Sequence, residues 1–387
     1  MWRIKFLCIC FFCASLVNAQ NVSDELSKYS FVRQQADTII NDSMLQRFFA
    51  KLQSGKQTVN IVHIGDSHIQ GNMLTAEVRR LLQEKFGNAG RGLVFPYSLI
   101  RTNGSRDAVF SSKSEAIRSV VRKAQNDFAP GVAGYSIKLT DSLIRIDLKS
   151  SQPFDNVAIL CRPDSVPAIG LLRDSIQQKN ILFPINETSI HKLSLPESSQ
   201  SVNFFTEKSV IVDGFVLRNN QPGVVYHSIG VNGAHFADYN RWPEFYRQLP
   251  MLQPDLIIVS LGTNEGVNRR VTKAEMKRQV ETMLREIEKN SDAPVLLITT
   301  FDNYYRRKSF NRYLRIVNTA IAETATENRI ALIDAYAITG GYKSAAKWRS
   351  KGLVSRDAIH YTAKGYELQG KIIYQAIINS YEKHAAR

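Results

Sequence analysis

The chain reads as an α/β protein, a parallel sheet covered on both faces by helices, with an all-β segment inserted into it. Three observations predict this. Short β-branched runs alternate with helical periodicities near both ends of the chain, the pattern of strands joined by helical crossovers. From about Ala89 to Val212, short alternating runs are instead separated by Pro, Gly, Asn, Asp and Ser, with no helix of useful length between them. Strands at that spacing argue for an antiparallel sandwich or jelly roll. The α/β pattern then resumes at Val224.

Met1–Ala19 opens with Arg3 and Lys5, continues with an apolar stretch from Phe6 to Leu16, and ends on small Ala19 before Gln20. This is the pattern of a cleavable secretory signal, and the apolar stretch is too short to span a bilayer. No other run is apolar enough for a membrane helix, so the expected mature protein is exported, secreted or periplasmic, with no integral membrane segment. Cys8, Cys10 and Cys13 leave with the signal, and Cys13 lacks the setting of a lipid-modified cysteine. Cys161 is then alone in an apolar run, reads as a packing residue, and excludes an intramolecular disulfide. The expected organisation is a signal over 1–19, core over 20–88, an inserted carbohydrate-binding-like β-sandwich over 89–220, and the second part of the core over 221–387.

The net charge of +15 falls only to +13 when Arg3 and Lys5 are removed. A basic protein suits polyanionic surroundings such as an acidic glycan. Nucleic acid is excluded as a partner: the basic residues are scattered, the chain carries an export signal, and neither zinc-finger spacing nor an RNA-binding aromatic motif occurs.

A helix is expected over Ser43–Leu52, and a buried strand over Thr58–Ile64. Leu74, Val78, Leu81 and Leu82 then recur at helical spacing. Within the β-rich segment, strands are expected at Ile144–Leu148, Val157–Cys161, Ile169–Leu172, Ile181–Phe183, Val202–Phe205 and Val210–Leu217. Further on, Asp255–Leu261 reads as a parallel strand, and Thr272-Lys273-Ala274-Glu275 as a capping box opening a helix. A strand at Val295–Thr300, a helix over Phe310–Asn328, a strand at Ile330–Ile333 and a last helix over Ala363–Glu382 complete the pattern.

Four short motifs fall where strands of the α/β part end. Gly65-Asp66-Ser67 follows the first strand, with Gly65 to let the backbone turn and Asp66 to tie the turn down. Ser228–Ala234 is a glycine-bearing turn, Gly262-Thr263-Asn264 ends another strand, and Asp357-x-x-His360 precedes the final helix. Each alone is common turn chemistry. Together they supply what a hydroxyl nucleophile needs: Ser67, an imidazole base in His360, and Asp357 to fix its tautomer. The N–H groups of Ser67 and Gly233, with the Asn264 amide, can converge on an oxyanion.

In this order the four blocks resemble the SGNH (GDSL-type) hydrolases, over Thr58–Gly87 and from Val224 to the C-terminal helix. The resemblance implies a three-layer, flavodoxin-like fold that cleaves esters through an acyl-serine, without metal or cofactor. It implies Ser67 as nucleophile, Asp357 and His360 as its partners, and Gly233 and Asn264 in the oxyanion hole with Ser67. His68 stands where the family has Leu. The secreted branch resembling peptidoglycan O-acetylesterases carries an inserted β-sandwich in the place where the β-rich segment lies here.

Rival chemistries lack their residues. A metallophosphoesterase would need Gly-Asn-His and a companion Asp-x-His besides Asp66-Ser67-His68, a zinc protease His-Glu-x-x-His, and an α/β-hydrolase Gly-x-Ser-x-Gly; none of these occurs. An odd separation in an extended strand would put His63 and His68 on opposite faces, so a shared metal is not expected and His63 is assigned to packing. The expected function is removal of acetyl groups from a polysaccharide, foremost an anionic cell-wall polymer such as peptidoglycan. Acetylated plant or host glycans, and a silent carbohydrate-binding protein, are the alternatives. Activity should fail at acid pH, where an imidazole base is protonated.

Overall fold

The computed structural model describes residues 22–34, 38–163, 168–172, 183–184, 189–206, 209–267 and 271–386. The expected signal segment lies outside them. In the first part of the α/β core, helix α1 (Gln46–Ser54) leads into strand β1 (Thr58–Gly65), a short helix α2 (Ser67–Gln70), helix α3 (Met73–Phe86) and strand β2 (Asn88–Gly90). The segment between the core's two parts holds β3 (Gly92–Val94), β4 (Ala108–Ser111), β5 (Ala116–Val120), β6 (Tyr135–Leu139), β7 (Ile144–Pro163), β8 (Ala168–Leu172), β9 (Phe183–Pro184), β10 (Ser189–Thr206) and β11 (Val210–Arg218). The core resumes with β12 (Gly223–Gly230), α4 (Phe236–Asn240), α5 (Pro243–Gln248), β13 (Leu256–Ser260), α6 (Thr263–Val267), α7 (Lys273–Asn290) and β14 (Val295–Ile298). A hairpin of β15 (Tyr304–Tyr305) and β16 (Ser309–Phe310) precedes α8 (Tyr313–Glu327), β17 (Ala331–Ile333), α9 (Ala335–Ile338), α10 (Ser344–Ser350) and α11 (Ala363–Ala385).

The core strands form one parallel sheet in the order β17-β14-β13-β1-β12-β2. Counted along the core, β12-β1-β13-β14-β17 is the 2-1-3-4-5 order of flavodoxin-like folds, with β2 added at the edge. β1 lies at its centre, and its side chains alternate between two buried clusters. Val59 and Ile61 face α1, α3 and α11, while Val62 and Ile64 join the cluster shared with the inserted strands. Burial on both faces is why this strand reads as a nearly unbroken apolar run. The capping site at Thr272 is also present, its hydroxyl accepting the Glu275 N–H at 3.2 Å.

The inserted strands differ from expectation in length. Ile144–Leu148 and Val157–Cys161 belong to one strand, β7, which pairs with β10 from Ile144↔Thr206 to Cys161↔Ser189 through register shifts at Ser194, Ser199 and Ser201. Ile146 pairs with Phe204, and Ile159 with Phe215. These positions on β7 would be about 40 Å apart in a straight strand. Yet the Phe204 and Phe215 rings lie 4.9 Å apart, and Phe215 is also 5.0 Å from Phe110 of β4. The long strands therefore bend at the bulged region and close the sheet on itself as a sandwich. Cys161 is buried in it, and burial pushes its thiol up to about 12.

The sandwich is bonded to the core. Asp107 receives Arg79 of α3 at 2.6 Å and Arg91 at 2.7 Å. Gln248 of α5 accepts the Val132 N–H at 2.8 Å and donates to Asp213 of β11 at 3.0 Å. Among the described residues, no helix is long and apolar enough to cross a membrane.

Candidate active site

Gly65 is in register with Gly230 on one side and Ser260 on the other, so the loops leaving β1, β12 and β13 meet at one end of the sheet. This is where strand order reverses, the crevice in which open α/β sheets place their ligands. Gly65 has no left-handed backbone; the expected sharp turn is not what fixes its identity. Space does, because a Cβ there would collide with the Ile69 side chain and lie 2.8 Å from the Ser260 carbonyl. Asp66, 1 % exposed, caps α2 by accepting the His68 N–H at 2.9 Å. Ser67 is thus the first residue of a helix whose entry is held by a buried carboxylate.

His360 reaches Ser67 from the loop before α11, Ser67 Oγ to His360 Nε2 being 2.8 Å. Its other nitrogen, Nδ1, lies 2.7 Å from Asp357 Oδ2. Partial burial alone would raise the Asp357 carboxyl. The Ser355 hydroxyl, the His360 ring and the N–H groups of Ile359 and His360 outweigh it and hold the group well below the usual carboxylate range. A fixed anion behind an imidazole keeps its proton on Nδ1 and leaves Nε2 free to accept from the hydroxyl. The structure therefore joins the three expected residues in one hydrogen-bonded chain.

Gly233 sits in the turn after β12 with φ +75°, a conformation that favours glycine. The Asn264 amide, near the start of α6, donates to the neighbouring Ala234 carbonyl at 2.9 Å and lies 3.4 Å from Asp66 Oδ2. The Asn264 amide thus ties the turn after β12 to Asp66 beside Ser67. His63 is fully buried in β1, its two nitrogens 2.7 Å from Tyr226 Oη and 2.7 Å from Ser260 Oγ, and burial pushes it down to about 3. It is a packing residue, as expected. His68 stacks beside His360, ring centroids 5.1 Å apart, with Nδ1 3.0 Å from Tyr366 Oη. Burial lowers the pKa of the His68 ring.

Sequence reasoning missed several groups that hold the site. Gln70 is buried in α2, and its Oε1 accepts the Asn232 N–H at 2.6 Å and the Tyr135 hydroxyl at 3.0 Å. Glu265, next to Asn264, accepts the Phe236 N–H at 2.7 Å, while Oε2 finds no partner among the described residues. Burial pushes its carboxyl up to about 7. His235 lies 3.1 Å from Asp238, which raises the imidazole. The signal for Gln70 and Glu265 was their adjacency to Ser67 and Asn264, legible only once those positions are known to be enclosed.

The family model described as GDSL-like lipase/acylhydrolase matches residues 209–368. That span contains Gly233, Asn264, Asp357 and His360; Ser67 lies upstream, beyond the inserted strands. No curated protein matches the sequence. Among solved structures, the chain is similar to a peptidoglycan O-acetylesterase, with a TM-score of 0.78 at 19% identity, over 89% of this chain and 99% of that one. It also matches a lipase/acylhydrolase from Enterococcus faecalis, at 22% identity and TM-score 0.32, over 41% of this chain and 77% of that one. A GDSL-like lipase from Bacteroides thetaiotaomicron matches at 16% identity and TM-score 0.31, over 41% and 76% of the two chains. The family-model match covers the second part of the core, and the sheet order and the Ser67–His360–Asp357 geometry are those that the resemblance to the SGNH (GDSL-type) hydrolases implies. In fold, inserted sheet included, the chain resembles the peptidoglycan O-acetylesterase.

Proposed function

We propose that the protein is an exported serine esterase that removes O-acetyl groups from an acidic polysaccharide, peptidoglycan foremost. The observation that carries this is the chain from Ser67 Oγ through His360 to Asp357, at 2.8 and 2.7 Å. In this reading His360 takes the Ser67 proton as the oxygen attacks the acetyl carbonyl. The oxyanion is met by the N–H groups of Ser67 and Gly233 and by the Asn264 amide. The sugar hydroxyl departs with the proton from His360, and water then releases acetate from the acetyl-serine. Asp66 and Gly65 support the nucleophile turn. Nothing in this sequence of steps calls for a cofactor or metal.

The substrate is supported by the basic charge, the export signal read from Met1–Ala19, and the likeness in fold to a peptidoglycan O-acetylesterase. The test is acetate release from O-acetylated peptidoglycan by the parent protein and Ser67→Ala, with acetylated xylan as control. Release lost in the variant and stronger on peptidoglycan is expected. Release from xylan alone would keep the chemistry and move the substrate to plant or host glycans. Release from neither, with no turnover of an aryl acetate, would leave a carbohydrate-binding protein.

A further inference from the structure

One charged side chain of the inserted sheet enters the site. The turn after β5 carries Arg122 across to Gly233, where a Cβ would stand 3.2 Å from Arg122 Nη1 and 3.5 Å from its Cδ. Arg122 is exposed, and no hydrogen bond or ion pair occupies its guanidinium among the described residues. Arg118, also exposed, lies on β5 itself. The charges of Arg118 and Arg122 both act on the Tyr135 hydroxyl, which burial otherwise raises. That hydroxyl bonds Gln70, and Gln70 bonds Asn232 beside Gly233.

The charge is placed against its surroundings. Asp66 and Asp357 lie around the nucleophile, and both would repel an anionic ester. A guanidinium over Gly233 is the counter-charge such an ester requires. Its planar fork also suits a carboxylate, which it can bind through two parallel hydrogen bonds.

We propose that Arg122 forms an anion subsite beside the oxyanion glycine, taking a carboxylate borne by the same sugar unit as the acetyl group, as on a muramic acid unit whose lactyl group carries no peptide. The inference rests on the esterase reading above and deepens it. Discrimination between acidic and neutral acetylated saccharides then belongs to the inserted sheet, while the α/β core supplies the chemistry.

The test uses the full chain and two probes that differ only in charge: an O-acetylated muramic acid saccharide with its carboxylate free, and the same saccharide with that group as a methyl amide. The parent is expected to favour the free carboxylate in kcat/KM, and to lose that preference as salt is raised. Arg122→Gln should lower the ratio of the two values about tenfold, the loss of one charge-assisted pair. Arg122→Lys should restore part of it. Lys123→Gln, removing the adjacent exposed cation, should keep the parent ratio. An Arg122→Gln ratio equal to the parent's, whether both rates fall together or neither does, would overturn the subsite. A parent as inactive as Ser67→Ala on both probes and on nitrophenyl acetate would overturn the esterase reading itself, and the subsite with it.

Discussion

The Tyr135 hydroxyl, carried by an inserted strand, donates to the side-chain carbonyl of Gln70 across 3.0 Å. Gln70 stands three residues after Ser67, and its amide nitrogen donates to the Asn103 carbonyl at 2.6 Å. One buried amide thus couples the nucleophile helix, the Gly233 turn and two parts of the inserted sheet. Gln70→Ala strands two donors and one acceptor and should cost about 2–3 kcal/mol. Tyr135→Phe, which removes a single bond, should cost about 1 kcal/mol. Denaturant melts of the two variants give the order directly.

Asp357→Asn tests the carboxylate behind His360. The amide can still meet the Ile359 and His360 N–H groups but favours the wrong tautomer of the ring. A fall in kcat of about 10³–10⁴-fold on an aryl acetate is expected, with KM little changed. A loss below tenfold would show that the carboxylate is not orienting the base.

Gly233→Ala adds a methyl group where φ is +75° and Arg122 Nη1 is 3.2 Å away. The backbone strain should cost about 1 kcal/mol of stability. Activity should fall further than stability, by about 10-fold or more, because the N–H proposed to meet the oxyanion is displaced. Removing the arginine as well, in Gly233→Ala/Arg122→Ala, relieves the crowding and leaves the strain, so the double variant should be no less stable than Gly233→Ala.

Glu265 predicts a pH dependence of stability. Its carboxyl ionises at about 7 in the folded protein, against the ordinary 4.5. Between those values the unfolded chain has released a proton that the folded chain keeps, so stability declines as pH rises through that window. Glu265→Gln preserves the acceptor for Phe236 and abolishes the titration. The variant's melting temperature should therefore gain on the parent's by a few degrees as pH is raised from below 4.5 to above 7. A constant difference across the range would contradict it.

The α/β core was legible because its strands are buried on both faces and its helices carry one apolar stripe. The inserted sheet was less so. Between Ile144–Leu148 and Val157–Cys161 lies Lys149–Asn156, polar and containing Pro153, which reads as a break. The strand runs through it because β10 supplies partners on either side of the bulges, a long-range fact that no local pattern carries. In the site, Ser67, Asp357 and His360 announced themselves by residue type and spacing. Arg122 did not. Its position depends on how the sandwich is docked, and a lone arginine in a polar turn looks like any solvated cation.

The hydrogen bond between Ser67 and His360 joins residues 293 positions apart in the chain. The hydroxyl leaves the ribosome long before its base, and the whole inserted sheet is synthesised between them. Until the loop carrying His360 has been made and docked, the growing polypeptide holds a serine that nothing can activate. A chain threaded across a membrane before folding would accordingly be chemically silent in the compartment that makes it. On the proposed function, acyl transfer would begin only after the last strand and the loop carrying His360 have closed over the first, and completion of folding would be the event that switches the protein on.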